Sequence, residues 1–115
     1  DREDAMNERL KRLYATLTAT GIPGTRDAYP EGEAPSPPFF IYVVDSHGEV
    51  FADGSNYAEL PRYRVILVER NADAEVEEKL LKAIQAVYGP VKVIEDWIAE
   101  ERTRNVNYYF TDAKE

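Results

Sequence analysis

Apolar residues recur along this chain with two different periods, and the changes of period mark its elements. Met6, Leu10, Leu13 and Leu17 sit at helical spacing, with Lys11, Arg12 and Thr16 pointing elsewhere. That pattern predicts an amphipathic first helix ending near Gly21, a natural stop. Ile22-Pro23-Gly24 forces a turn, and Thr25–Tyr29 is a candidate short extended segment. Phe39–Asp45 is aromatic and β-branched throughout, which predicts a strand buried on both faces. From Tyr63 to Arg70 the period is two: Tyr63, Val65 and Leu67 share one face, Ile66 and Val68 the other. Helical spacing returns with Val76, Leu80, Ile84 and Val87. Asn71-Ala72-Asp73 supplies capping chemistry before that helix, Glu75, Glu77 and Glu78 suit its positive end, and Gly89-Pro90 ends it. Val91 to about Ala99 and Asn105 to Thr111 read as two more strands, joined by the charged turn Glu100–Arg104. On the last one, Val106, Tyr108 and Phe110 alternate with Asn105, Asn107 and Tyr109.

The order is thus helix, two or three strands, helix and two strands. Short connections between successive strands favour antiparallel neighbours. The expected fold is α+β, with a four- to five-stranded, mainly antiparallel sheet packed by two helices. Four of the seven prolines fall between Pro30 and Pro38. Proline lacks a backbone donor, so this stretch is an exposed connection, or an arm lying along a neighbouring subunit. Two more turn signals, Ser46–Glu49 and Asp53–Asn56, bracket Val50-Phe51-Ala52, which reads as the start of a strand or a flap.

With 115 residues the chain suits a single domain, expected over 6–115. Residues 1–5 are read as a non-native extension, with the natural start at Met6. No apolar run has membrane-spanning length and no secretory pattern is visible, so neither insertion nor classical secretion is expected. The absence of cysteine excludes disulfides and thiolate metal sites, and fits a reducing cytosol. A net charge of −8 argues against nucleic acid as the main ligand, because such binding neutralises phosphates with cations.

The chemistry that enzymes need is sparse. His47, the one histidine, sits beside glycine in a polar turn, where a solvated side chain is the ordinary outcome. Asp45, Glu49 and Asp53 offer carboxylates around one loop, but not at calcium-loop spacing. Glu95, Asp96, Glu100 and Glu101 near the last hairpin invite the same reading, against the same alternative of solvated turn carboxylates. Gly21 to Gly24 lacks both the spacing and the following helix of a phosphate loop. Ser36, Ser46 and Ser55 lack the elbow context of a nucleophile. No catalytic residue, metal site or cofactor is expected, and the chain is read as a non-enzyme. What stands out instead is aromatic surface, with 8 tyrosines, 4 phenylalanines and 1 tryptophan. Two helices cannot hide all of them, and such residues are favoured where proteins meet.

Three stretches carry a family resemblance. They are Pro37-Pro38-Phe39-Phe40-Ile41-Tyr42; Phe51-Ala52-Asp53-Gly54 with Tyr57 and the Tyr63–Glu69 strand; and Trp97–Glu101 before Tyr108-Tyr109-Phe110. Together they resemble the tail-terminator, or tail-completion, proteins of the neck in long-tailed bacteriophages and prophages. The resemblance implies a structural protein of the virion tail or neck, assembled in the host cytoplasm. It implies a ring, typically of six subunits, that caps the tail tube and meets the major tail protein and the neck and connector proteins, with DNA only passing through the lumen. Under it, Phe51, Ala52, Asp53, Gly54 and Tyr57 are expected on a projecting loop that contacts a neighbour. Arg62 and Arg64 are expected to pair with acidic residues across the subunit boundary. Two rival readings stand beside it: an acidic adaptor or inhibitor of one cellular protein, and a carboxylate metal-dependent enzyme.

Overall fold

The computed structural model describes residues 2–46 and 60–113. Two helices and five strands follow in the order α1 (Arg2–Thr18), β1 (Gly24–Arg26), β2 (Phe39–Ser46), β3 (Arg62–Glu69), α2 (Ala74–Tyr88), β4 (Lys92–Ile98) and β5 (Thr103–Thr111). The strands form one sheet in the order β1-β2-β3-β5-β4, antiparallel at every junction except β1 with β2. The fold is α+β, as the periodicity predicts. Among the described residues no helix is long and apolar enough to cross a membrane.

Leu10, Leu13 and Leu17 of α1 are buried, and so are Leu80, Ile84 and Tyr88 of α2. They close over the sheet residues Phe40, Tyr42, Tyr63, Val65, Leu67, Val106, Tyr108 and Phe110. Every second residue of β3 is buried, and the alternation runs on past Leu67 to Glu69. Fully burying one such apolar side chain contributes roughly 1.5–3 kcal/mol, so this single layer supplies most of the favourable free energy.

Several boundaries and faces differ from expectation. Helix α1 begins at Arg2, four residues ahead of Met6. Strand β2 is buried on one face only: Phe40 and Tyr42 are covered, while Phe39, Ile41 and Val43 stay half-exposed because neither helix lies over them. Tyr88, one position beyond Val87, joins the buried stripe of α2 and stacks near Tyr63 and Phe110. Thr103 and Arg104 belong to β5 and not to the turn, since they pair with Ile98 and Trp97. Helix α2 is capped as predicted, with the Asp73 carboxylate accepting from the backbone of Glu75 at 3.1 Å and Val76 at 3.2 Å. Gly24 is fixed by packing: a Cβ there would run into the Phe40 ring of the adjoining strand.

One polar cluster closes the layer. Asp112, fully buried just beyond β5, takes Arg9 at 3.0 Å and Arg12 at 3.2 Å, both from α1. The Tyr63 hydroxyl donates to the same carboxylate at 2.7 Å. Burial and that hydrogen bond push the Tyr63 phenol well above its ordinary value, so it remains a neutral donor. Replacing Asp112 with Ala leaves two cations and a buried hydroxyl without their acceptor. The expected loss is roughly 3 kcal/mol in urea unfolding, far beyond a surface substitution.

Candidate functional site

Strand β4 reads Lys-Val-Ile-Glu-Asp-Trp-Ile, and its β-branched and aromatic content suits a pleated surface. Its seven residues pair with β5 from Lys92 opposite Tyr109 to Ile98 opposite Thr103. On its other side no strand pairs with it among the described residues. Facing residues of an antiparallel pair point the same way. Val93, Glu95 and Trp97 therefore share the face that carries Tyr108 and Val106, while Lys92, Ile94, Asp96 and Ile98 share the opposite face, which no helix covers among the described residues.

The helices do not reach this strand. Trp97 is 61% exposed, Val93 40% and Ile94 38%, so the indole and two β-branched residues line one solvent-facing edge. An unpaired strand edge presents a row of backbone donors and acceptors ready to receive another chain. Aromatic anchors at such an edge add the apolar area that makes docking selective. Charges flank the apolar positions, and the two acidic ones, Glu95 and Asp96, are locally engaged. Asn107 donates to the Ile94 carbonyl at 3.1 Å and to Asp96 at 3.4 Å. Glu95 accepts from Arg104 at 2.8 Å. Hydrogen bonding to Glu77, joined by Glu77 and Glu95 as neighbouring charges and opposed by burial, holds Arg104 above its ordinary value as a permanent cation.

The uncovered face of the sheet continues from this edge. It carries Arg64 between Val43 of β2 and Tyr109 of β5, and Ile66 between Ile41 and Asn107. The Arg64 Nε is buried without a hydrogen-bond partner among the described residues. Arg62 is exposed at the start of the same strand and lines a cleft with Asp45, Lys92, Ile94, Tyr109 and Thr111. The two arginines predicted as contact residues thus stand on one face and beside one another.

The other predicted contact residues, Phe51, Ala52, Asp53, Gly54 and Tyr57, lie outside the described residues, as do His47 and Glu49. Among the described residues no three acidic or histidine side chains gather to hold a metal. Glu95 and Asp96 are adjacent on a strand and point to opposite faces, which separates them. The sequence places Trp97 among the aromatics whose surplus favours an interface, but it does not single out Val93, Ile94 or the strand edge. Tell-tale signs were present: the strand follows a helix and ends in a tight charged turn, so only one of its sides is paired by local connection. Compared with protein-family models, curated proteins and solved structures, the chain gives no match.

A docking residue and a core residue respond differently to truncation. Trp97→Ser is expected to change the urea-unfolding free energy by less than about 0.5 kcal/mol, as for other surface positions. Leu67→Ala, from the buried face, is expected to cost roughly 2–5 kcal/mol. Equal losses at the two positions would show that the indole supports the fold.

Proposed function

We propose that this protein is a structural subunit that docks edge-on against other protein subunits and has no catalytic role. The observation that supports this best is the outer edge of strand β4, unpaired among the described residues, with its exposed Trp97, Val93 and Ile94. The neighbouring uncovered face, with Arg62 and Arg64, supplies charges for pairing with acidic residues of a neighbour in a chain whose own balance is acidic.

In its fuller form the proposal follows the family resemblance. Copies of the chain form a ring at the head-proximal end of a phage tail, seated on the major tail protein and facing the neck proteins. DNA passes through the lumen without being gripped, in keeping with the net charge of −8. On this reading the edge of β4 meets a different patch on the next copy. Assembly of this kind is heterologous, with one patch meeting a different patch, and closes into a ring when the rotation between copies is right.

Electron microscopy of purified tail tubes mixed with the protein tests this reading. The protein is expected to cap one end of each tube, and Trp97→Asp is expected to weaken capping at least about tenfold while leaving the melting temperature unchanged. A stable one-to-one complex with a cellular protein, with tube ends left bare, would instead favour the adaptor reading. Flanking genes for capsid, connector and major tail proteins are expected beside this one. A metabolic operon would count against the ring.

A further inference from the structure

Glu69 closes β3 on its buried side, following Tyr63, Val65 and Leu67, and is 1% exposed. A carboxylate there must be matched by donors or by a proton. The groups facing it come from every element nearby. From the start of α2, Glu77 is the acidic neighbour whose charge bears on it. The single backbone N–H of Asp73 donates to Oε2 of Glu69 at 3.2 Å and to Oε2 of Glu77 at 3.3 Å, so two carboxyls converge on one donor. From β5, the Arg104 Nε lies 3.4 Å from Glu69 Oε1, and the guanidinium meets both Glu77 oxygens at 3.3 Å. The Tyr108 hydroxyl is occupied by the Glu77 backbone carbonyl at 2.9 Å. From β4, Glu95 takes the remaining reach of Arg104 at 2.8 Å. Arg70 lines the cleft beside Glu69, and the Asp73 carboxylate is committed to capping α2. Arg9 and Arg12 of α1 are held by Asp112.

Three carboxylates thus surround one guanidinium, and the innermost of them is shielded from water. Among the described residues Glu69 Oε1 receives no hydrogen bond. We propose that Glu69 and Glu77 hold one proton between them in the folded protein, and that this proton acts as a pH-sensitive latch fastening the first turn of α2 to β3 and β5. When it leaves, two like charges converging on one backbone donor repel, and the more exposed partner, Glu77 on the helix, is the one free to swing out. The loss is felt at β4 too, because Arg104 carries Glu95 as well as Glu77.

The direction of the pH effect follows from linkage. Burial, aided by the neighbouring Glu77, pushes Glu69 up to about 7 from its ordinary 4.5. Its contribution to stability is fully present below 4.5 and is lost as pH rises through about 7. Partial burial opposes ionisation of Glu77, but Glu69 and Arg104 outweigh it and hold that carboxyl below its ordinary value. Its contribution is present above 4.5 and is lost as pH falls further. The latch is therefore strongest in mild acid, with one proton on the pair.

Thermal melts between pH 5 and pH 8, run on the wild type and on Glu69→Gln, test the latch. Glutamine is a permanent stand-in for the protonated acid. The wild-type melting temperature is expected to fall over this range by roughly 5–10 °C more than that of the variant. Parallel slopes in the two proteins would overturn the proposal. Carboxyl-carbon NMR titration of the wild type provides a readout independent of the variant's folding. It should show one glutamate step displaced up toward neutral pH and a partner displaced down. Ordinary titration of both carboxyls would also overturn it.

Discussion

A carboxylate with three donors on it governs how this chain closes. Asp112 lies beyond the last strand, Arg9 and Arg12 lie in the first helix, and Tyr63 lies at the head of the central strand. Residues almost the whole length of the chain apart are thereby tied at one buried point. Apolar burial is non-directional and would tolerate α1 at several angles across the sheet. The acidic side chain removes that freedom, because displacing the helix would strand a dry charge. Once α1 is set, α2 has one remaining strip of sheet to cover, and β4 is left beyond its reach.

That geometry explains why one protein combines a well-packed interior with a bare margin. The helices cover the middle strands, where Tyr63, Tyr108, Phe40 and Leu67 are fully buried. Among the described residues neither helix lies over the far strand or the opposite face. Polar groups soften the exposed region without closing it: Asn107 and Arg104 hold Asp96 and Glu95, the charges that interrupt the apolar edge. A chain that stayed solitary would gain from hiding Trp97, since an exposed strand edge invites unwanted pairing. Its retention at the rim is understandable if something specific covers it.

Much of this architecture was legible in the order of residues, and for definite reasons. Alternation along β3 and β5 placed Tyr63, Val65, Leu67, Val106, Tyr108 and Phe110 on the inner face, because strand geometry leaves only two sides. The Asp73 cap and the Gly89 stop were readable because their chemistry is local. The uncovered face was not legible: a continuous apolar run such as Phe39 to Val44 looks the same whether one layer or two lie against it. Nor were the polar clusters. Asp112 and Glu69 meet partners that are distant in sequence, and nothing short of the fold brings Arg9 to one or Arg104 to the other. A hint did exist for Glu69, since it continues the inward-pointing series of β3 where an apolar residue would be ordinary.

The protein holds one indole, and the fold has put it on the rim and not in the interior. Tyr42, Tyr63, Tyr88 and Tyr108 line the core, so these two kinds of chromophore report on different places. Light absorbed by tryptophan alone interrogates β4 and little else. Water around the indole keeps its emission at long wavelength, and a protein surface laid over it would shift that emission toward the blue. The chain therefore carries its own unlabelled optical gauge of whether the edge is covered.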